Sequence, residues 1–441
     1  MNPSNRPIRN IGSGRPFFQE DRGADLQGAT EGSPLTTEHT LPFPGRSHPI
    51  LVVAPEPFYE NRGTPIALRN VLEAASQGGY EVDLVTFPVG ESIDLPGLRI
   101  FRGGAWLPIR NVPIGFSARK VILDFCLLPV FIKRIRREKY DFIYALEEAA
   151  FFVLLLRRWH KLPLIYDMQS SLPEQLKAHP LLGLGVFQRL LRYCERWMVR
   201  KADRIVCSAG LRKHVLSIAP SADVREWFFP GIRREFLAGE TDRLRKELGI
   251  DPGSGVVLYT GNFEPYQGVE RLLDAALDVV AEVPGTIFVL VGDETPSRFS
   301  RSKSASLLRE QGALRLVPRQ PKSKINCFMA IADVLVSPRD DIGNIGIKIF
   351  EYMGAGKPIV ATDTPSHRAV LDETRAILVD LSPEAMGTAI VRLLRDRAAG
   401  KRLGDSARSY ASRNLGWKTF ADGVADLYVL GRHENRPEHL G

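Results

Sequence analysis

The chain has no stretch that reads as a membrane-spanning helix, which needs roughly 18 or more consecutive apolar residues. Its longest apolar runs, VILDFCLLPVFI from Val121 and AAFFVLLL from Ala149, are broken or bounded by charge or proline. They read as buried or interfacial segments. The opening MNPSNRPIRNIGSGRPFFQ lacks the continuous apolar core of a secretory signal. Cysteine is scarce: Cys126, Cys194, Cys207 and Cys327 stand far apart and form no CxxC pair. That argues against a disulfide framework or a thiolate metal site and for reduced thiols in a reducing, cytoplasmic compartment. The eight histidines form no HxxxH or HxH pair, so no metal is expected. No GxGxxG motif follows a strand, which removes the main signature of a dinucleotide site. Zinc-finger spacing, a basic region with heptads and an aromatic RNA-binding signature are also missing, so nucleic acid is not an expected partner. No short-period repeat suggests a solenoid.

What the chain does have is size, a basic balance and a repeated α/β pattern. Its 441 residues suit two or three domains, and 44% hydrophobic with 25% charged residues is ordinary for a globular protein. The net charge of +8 favours anionic partners such as nucleotides, phosphorylated lipids or an anionic membrane surface. Residues 1–47 are rich in Pro, Gly, Ser and Arg without periodicity and are expected to be a disordered tail. From Pro49 the run PILVVAP reads as a buried strand. TPIALRNVLEAASQGG follows as a helix, with Thr64 as cap, Pro65 in the first turn, and Leu68, Val71, Leu72 and Ala75 on one face. EVDLVTF is the next strand, which completes a unit of parallel sheet. DFIYAL, PLIYDM and DRIVCSA continue the series, with a helix from Leu181 to Arg200. The pattern breaks around FFPGIRREF, Phe228 to Phe236. A second series begins at Gly255 with VVLYTG, TIFVLVGD, ALRLVP, DVLVSPR, PIVATD and AILVD as strands. A terminal helix is expected from about Leu403 to Leu430. The chain therefore reads as two doubly wound, Rossmann-like domains facing a cleft, with ligands expected beyond the carboxyl ends of the strands.

Four of those strand-end loops carry candidate chemistry. In FYENRGTP, Gly63 before a helix start lets backbone amides approach an anion. In SPRDDIGNIGIKIFEYMG, the amides of Gly343, Asn344 and Gly346 could hold phosphate, and Arg339 and Lys348 could neutralise it. Glu351 lies three residues after Lys348, on the same side of a helix, where a carboxylate can accept from two ribose hydroxyls. In YTGNFEPYQGVE, Gly261, Asn262 and Gln267 face the same anion. Glu147 and Glu148 in YALEEAAF, and Asp167 in YDMQSS, could orient sugar hydroxyls or act as a base. IKRIRREK, from Ile132 to Lys139, follows an apolar segment in the manner of an interfacial helix.

With these residues in view, the chain resembles the retaining glycosyltransferases of family four, which have the two-Rossmann GT-B fold. The resemblance runs through VVLYTGNFEPYQGVERLLDA, IFVLVGD, ADVLVSPR and IKIFEYMGAGKPIVATDTPSHRAVL, and more loosely through ILVVAPEPFYENRGTPIALRNVLEAASQGGYEVDLVT and PLIYDMQSSLPEQL. It implies an acceptor-binding domain at 48–232 and a nucleotide-sugar-binding domain at 233–415. It also implies a crossover helix at 416–432, packed on the first domain, and a tail at 433–441. Glu351 matches the second Glu of the family's Glu-x7-Glu signature, and Lys348 its P-x-K-I-[YF] version. Gly63 matches the glycine loop facing the donor phosphates. Lys348, Glu351, Asp167 and Gln169 are thus the expected catalytic residues. Gly63, Gly261, Asn262, Gln267, Arg339, Gly343 and Asn344 are expected to bind the donor, and Glu147 and Glu148 the acceptor. Three departures stand out. Gly343 takes the place of the first Glu, Asn262 and Gln267 take the places of an Arg and a Lys that clamp the diphosphate, and Gln169 stands where many members have His. The implied activity is metal-independent transfer from a nucleotide-sugar to an acceptor hydroxyl, and the basic balance of the chain suggests a glycan or lipid-linked acceptor in cell-envelope synthesis. A nucleotide-sugar epimerase or phosphorylase of the same fold, and a non-catalytic sugar-nucleotide-binding relative, are the rival readings.

Overall fold

A computed structural model describes residues 48–433, except 61–62, 110, 113–116, 178–181, 231–238, 293–298, 300–301 and 342. The expected tail at 1–47, that at 433–441 apart from His433, which ends the last helix, and most of the expected junction between the domains lie outside the described residues.

The first lobe runs β1 (Ile50–Ala54), α1 (Gly63–Gln77), β2 (Val82–Thr86), β3 (Leu98–Arg102), α2 (Ala118–Arg137), β4 (Ile143–Leu146), α3 (Ala149–Leu155) and α4 (Arg157–His160). It continues through β5 (Leu164–Met168), α5 (Leu172–Gln175), α6 (Gly185–Lys201), β6 (Arg204–Ser208), α7 (Arg212–Ile218) and β7 (Val224–Trp227). The second lobe opens with α8 (Glu240–Glu247), β8 (Val256–Thr260), α9 (Val269–Glu282), β9 (Ile287–Gly292), α10 (Lys303–Glu310), β10 (Leu314–Pro318), α11 (Lys322–Ile331) and β11 (Val334–Ser337). It closes with α12 (Ile347–Ala355), β12 (Ile359–Thr362), α13 (Pro365–Arg368), β13 (Ile377–Val379), α14 (Pro383–Arg395), α15 (Arg397–Asn414) and α16 (Trp417–His433).

Each lobe is a doubly wound parallel sheet. The seven-stranded sheet has the order β3-β2-β1-β4-β5-β6-β7 and the six-stranded one β10-β9-β8-β11-β12-β13. A strand buried on both faces can be apolar throughout, and β1, β2, β4, β5 and β8 are buried at every position. Their side chains alternate between two cores. In the first lobe Ile50, Val52 and Ala54 join the cluster that holds α1 and α16, while Leu51 and Val53 join the one that holds α2, α3, α6 and α7.

The strand order reverses between β1 and β4 and again between β8 and β11. Loops leaving two neighbouring strands toward opposite helix layers leave a crevice between them. The loops after these four strands therefore line the cleft between the lobes.

α16 returns to the first lobe. Tyr428 is buried with its ring 5.1 Å from that of Tyr80 and 5.3 Å from that of Phe142, and Trp417 Nε1 donates to Gln77 Oε1 at 2.7 Å. Aromatics gather where the chain crosses: Phe420 packs on Trp227 and Phe229, and Phe229 on Phe350 of α12. Such pairs add about 1 kcal/mol each beyond the area they bury.

The structure changes three local expectations. α1 begins at Gly63, so Thr64 lies in the first turn rather than capping it. The helical segment expected from about Leu403 to Leu430 consists of α15 and α16, broken at Leu415–Gly416, and α16 coincides with the crossover helix expected at 416–432. Two edge strands, β3 and β7, join the first sheet beyond those read from the sequence. β3 is partly exposed, so it carries no apolar run. It is held instead by Arg99, whose Nε donates at 2.6 Å to Asp83, its cross-strand neighbour on β2, where Arg134 and Tyr140 converge as well.

Candidate active site

The inter-lobe cleft has a volume of about 1130 Å³ and is lined by the four switch-point loops together with α2, α5 and α6. Its second-lobe wall is built on α12. Ile349, Phe350, Tyr352 and Met353 bury one face of that helix, which leaves Lys348 and Glu351, three residues apart, on the face that lines the cleft. Gly346 precedes the helix without a side-chain cap, and its carbonyl accepts from Ile349 N at 3.0 Å, so the free amides of the first turn are those of Ile347 and Lys348.

Two cations are buried here. Lys348 Nζ donates to Gln267 Oε1 at 2.8 Å and stands 4.0 Å from the centre of the Tyr259 ring. Burial, then the charge of Arg339, pushes its pKa well below the ordinary lysine value. Arg339 is 5% exposed; its Nη2 donates to Asn344 Oδ1, its guanidinium lies over Tyr266, and its buried Nε has no partner. Burial lowers its pKa also. Among the described residues neither cation forms an ion pair. Two cations held out of water without an ion pair, with Asp340 and Asp341 acting on Arg339 only at longer range, suit a bound anion chemically.

The rest of the wall makes room for it. Gly261 has φ +135°, and a Cβ there would stand 3.4 Å from Lys348 Nζ. Gln267 Oε1 also lies 3.3 Å from the Tyr259 hydroxyl. A lysine at 267 would face the Lys348 ammonium in a dry site, whereas the neutral amide can accept its hydrogen bond. Asn262 closes its own turn by accepting from Glu264 N at 3.2 Å, and its amide lies 3.5 Å from the Tyr266 hydroxyl. Gly343 is not a free phosphate-facing amide. Its N–H donates to Asp341 Oδ1 at 2.9 Å, and a Cβ there would stand 3.4 Å from Leu211 of the first lobe. Asn344 bridges the lobes by donating from Nδ2 to the Gln169 carbonyl at 2.9 Å.

Arg339 is supported from behind by His367, which the sequence did not single out. His367 Nδ1 donates to the Thr362 carbonyl at 2.7 Å, so Nε2 accepts from Ser337 Oγ at 3.0 Å, and Thr362 Oγ1 donates to the Arg339 carbonyl. Burial drives the imidazole pKa down to about 4. The unfolded chain takes up this proton near pH 6.5 and the folded chain refuses it until about pH 4. The native state thus keeps its full stability above pH 6.5 and loses up to about 3 kcal/mol as pH falls through that window. Urea midpoints at pH 7 and pH 5 are expected to differ less in His367→Gln than in the parent. Equal differences would show that another group takes up the proton.

The first-lobe wall is acidic. Glu147 follows β4 with φ +50° and accepts from Ser170 Oγ at 2.8 Å. Burial, then the charge of Glu148, holds its pKa well above the usual carboxylate value. Glu148 pairs with Lys120 at 2.7 Å. Asp124, one turn along α2 from Lys120, is pushed up to about 8 by burial and Glu148, against the pull of Lys120. Neither Lys120 nor Asp124 was foreseen; the signal was two charges four residues apart inside an apolar run. Asp167, expected at the cleft, turns into the first lobe's core. It is 1% exposed and accepts from Tyr144 at 2.6 Å and Gln169 Nε2 at 2.5 Å, and burial raises its pKa to about 7. Asp167 therefore positions Gln169, which does line the cleft, as do Gly63, Glu147 and Glu148.

Comparisons with known proteins follow this geometry. The description "Glycosyltransferase Family 4" matches residues 62–227 and "Glycosyl transferases group 1" residues 240–410. A relative in Segniliparus rotundus, D-inositol 3-phosphate glycosyltransferase, is 27% identical over 53% of this chain and 54% of its own length, so the match spans about half of that protein. Sucrose-phosphate synthase from Thermosynechococcus elongatus superposes with a TM-score of 0.72 at 21% identity, over 87% of this chain and 99% of that one. Anabaena HepE in complex with UDP-glucose superposes with a TM-score of 0.65 at 15% identity, over 87% and 100%. Both likenesses are of fold.

Proposed function

We propose that this chain, which belongs to glycosyltransferase family four through both of its lobes, transfers a hexosyl-type sugar from a nucleoside-diphosphate donor to an acceptor hydroxyl with retention. The observation that carries this reading is the pair of buried cations without an ion pair among the described residues, Arg339 in the loop after β11 and Lys348 one helical turn from Glu351 on the cleft wall. In this reading the donor diphosphate lies against the first amides of α12, the guanidinium of Arg339 and the ammonium of Lys348, and Glu351 accepts from the ribose hydroxyls. The glycosidic C1–O bond to the diphosphate breaks as the acceptor oxygen bonds to C1 on the same face. The acceptor's proton passes to the departing phosphate oxygen, so no protein nucleophile or metal is required. The cations stabilise the charge that grows on that leaving group. HepE has been seen with UDP-glucose in the same fold, which supports a uridine nucleotide as the first candidate.

The acidic first-lobe wall, Glu147, Glu148 and Asp124 beside Gln169, would hold the hydroxyls of a glycan or lipid-linked acceptor, in cell-envelope polysaccharide or glycolipid synthesis at the cytoplasmic side. A second reading, a non-catalytic sugar-nucleotide-binding relative, is favoured by Gly343, whose position in the family's signature holds a carboxylate. Donor binding without turnover would select it.

A thermal-shift screen against UDP, GDP, ADP and their sugar conjugates tests the donor site. A ligand at 100 times its dissociation constant adds about 2.7 kcal/mol, so one nucleotide is expected to raise the melting temperature clearly. No shift with any of them would defeat the reading.

A further inference from the structure

The helices α2, α3, α4 and α6 cover one face of the first sheet as a continuous layer. The inward residues of α2, α3 and α6 share one core, and α4 meets it through His160. Phe131 of α2 meets Phe152 of α3 at 5.7 Å and His160 of α4 at 6.1 Å, and Phe151 of α3 meets Trp197 of α6 at 5.5 Å. The outward side of this layer has an unusual composition. Among the described residues, the exposed large apolar side chains concentrate in the first lobe, with only Leu307 and Leu381 in the second. Phe125 is 68% and Trp159 71% exposed, and Leu155, Val186, Leu190 and Tyr193 lie open beside them. Among and beyond these stand Lys133, Arg136, Arg137, Arg158, Arg189 and Arg192, all exposed.

On α2 the stripe Ile122, Phe125, Pro129, Lys133 and Arg136 recurs at helical spacing and passes from apolar to basic along its length. On α6 the stripe Val186, Leu190, Tyr193 runs beside Arg189, Arg192 and Arg196. The acids of these four helices are Asp124 and Glu195, and neither is exposed. Asp124 lines the cleft beside Lys120, and Glu195 is buried under Ser171 and His214. The acids at the helix ends, Glu138, Glu148 and Asp203, are paired with Arg134, Lys120 and Arg157 respectively, so an exterior of open aromatics with an excess of cations complements a surface that is apolar below and negative above.

We propose that this layer docks on an anionic lipid bilayer. The aromatic and aliphatic side chains enter the acyl boundary, and the arginines and lysines remain at the phosphates. Lys120, Val121 and Asp124 of α2 and Leu191 of α6 line the cleft, so docking sets the cleft mouth beside the lipid. That the bilayer presents the acceptor there rests on the transferase reading; the docking face rests on its own residues.

The test is cosedimentation of the full chain with vesicles of phosphatidylcholine alone and of equal parts phosphatidylcholine and phosphatidylglycerol. Binding is expected to the anionic vesicles and to weaken as salt rises from about 0.1 M to 1 M, where the screening length shrinks from about 10 to 3 Å. Each basic residue near such a surface is worth about fivefold in affinity, so the double variant Arg136→Glu with Arg137→Glu should lose at least about 25-fold. Trp159→Ser should weaken binding in a way that salt does not mimic. Both variants should keep the parent's melting temperature and its shift with nucleotide, since neither residue lines the cleft. No sedimentation with anionic vesicles at low salt would overturn the proposal. So would a parent that self-associates through this face, seen as a dimer that the double variant makes monomeric without any vesicle binding. A nucleotide shift that persists while vesicle binding fails would leave the donor site standing and remove only the membrane.

Discussion

Lys348→Ala is expected to lower turnover by about a hundredfold, the effect of removing one group that stabilises charge developing in the transition state. The position explains the size. Lys348 is buried, with Gln267 Oε1 as its hydrogen-bond acceptor and Arg339 as an unfavourable neighbour, and both burial and Arg339 lower its pKa. A diphosphate beside it raises that pKa again, so in the pH range between the two values the amine gains a proton. Donor binding should therefore take up a proton, and affinity for the nucleoside diphosphate should fall as pH rises. In Lys348→Ala both the rate and this pH dependence are lost. Initial rates and calorimetric titrations in buffers of differing ionisation enthalpy would show it. A folded variant with parental turnover would remove Lys348 from the reaction.

Glu351→Ala is expected to weaken nucleotide binding by about ten- to a hundredfold, the worth of hydrogen bonds to a charged acceptor. The loss should fall on nucleosides with both ribose hydroxyls. A 2′,3′-dideoxy analogue should bind the parent and the variant alike, which separates a ribose contact from a general disturbance of α12. If the intact nucleotide bound both proteins equally, Glu351 would be only a helix-surface carboxylate.

How far residues reveal such a site depends on what makes each one visible. The two sheets were legible because parallel strands buried on both faces leave unbroken apolar runs, as in ILVVA and VVLYT. The edge strands were not, because one side of each meets solvent or another charge; LRIFR is a strand through its neighbour Asp83, fifteen and more residues away. Lys348 and Glu351 were legible because charges at helical spacing interrupt an apolar helix after a glycine-rich loop. Asp167 shows the limit of the strand-end rule. Such a residue is near the cleft in sequence, but its side chain follows the pleat, and here the pleat points it at Tyr144. The Lys120–Asp124–Glu148 group joins α2 to the β4 end, and only tertiary packing reveals that pairing. His367 was silent because a lone histidine in a capped turn has no pattern around it.

The return of α16 has a mechanical consequence. The chain passes between the lobes twice, once after Trp227 and Phe229 and again at Leu415–Trp417, and Phe420 touches both of those aromatics. The two crossings meet in one aromatic cluster, so the covalent links between the lobes lie together along one edge, like the spine of a book. Phe350 rests against that spine and is the residue next to Glu351 on the same helix. The part of the second lobe nearest that spine is therefore the helix that bears Lys348 and Glu351.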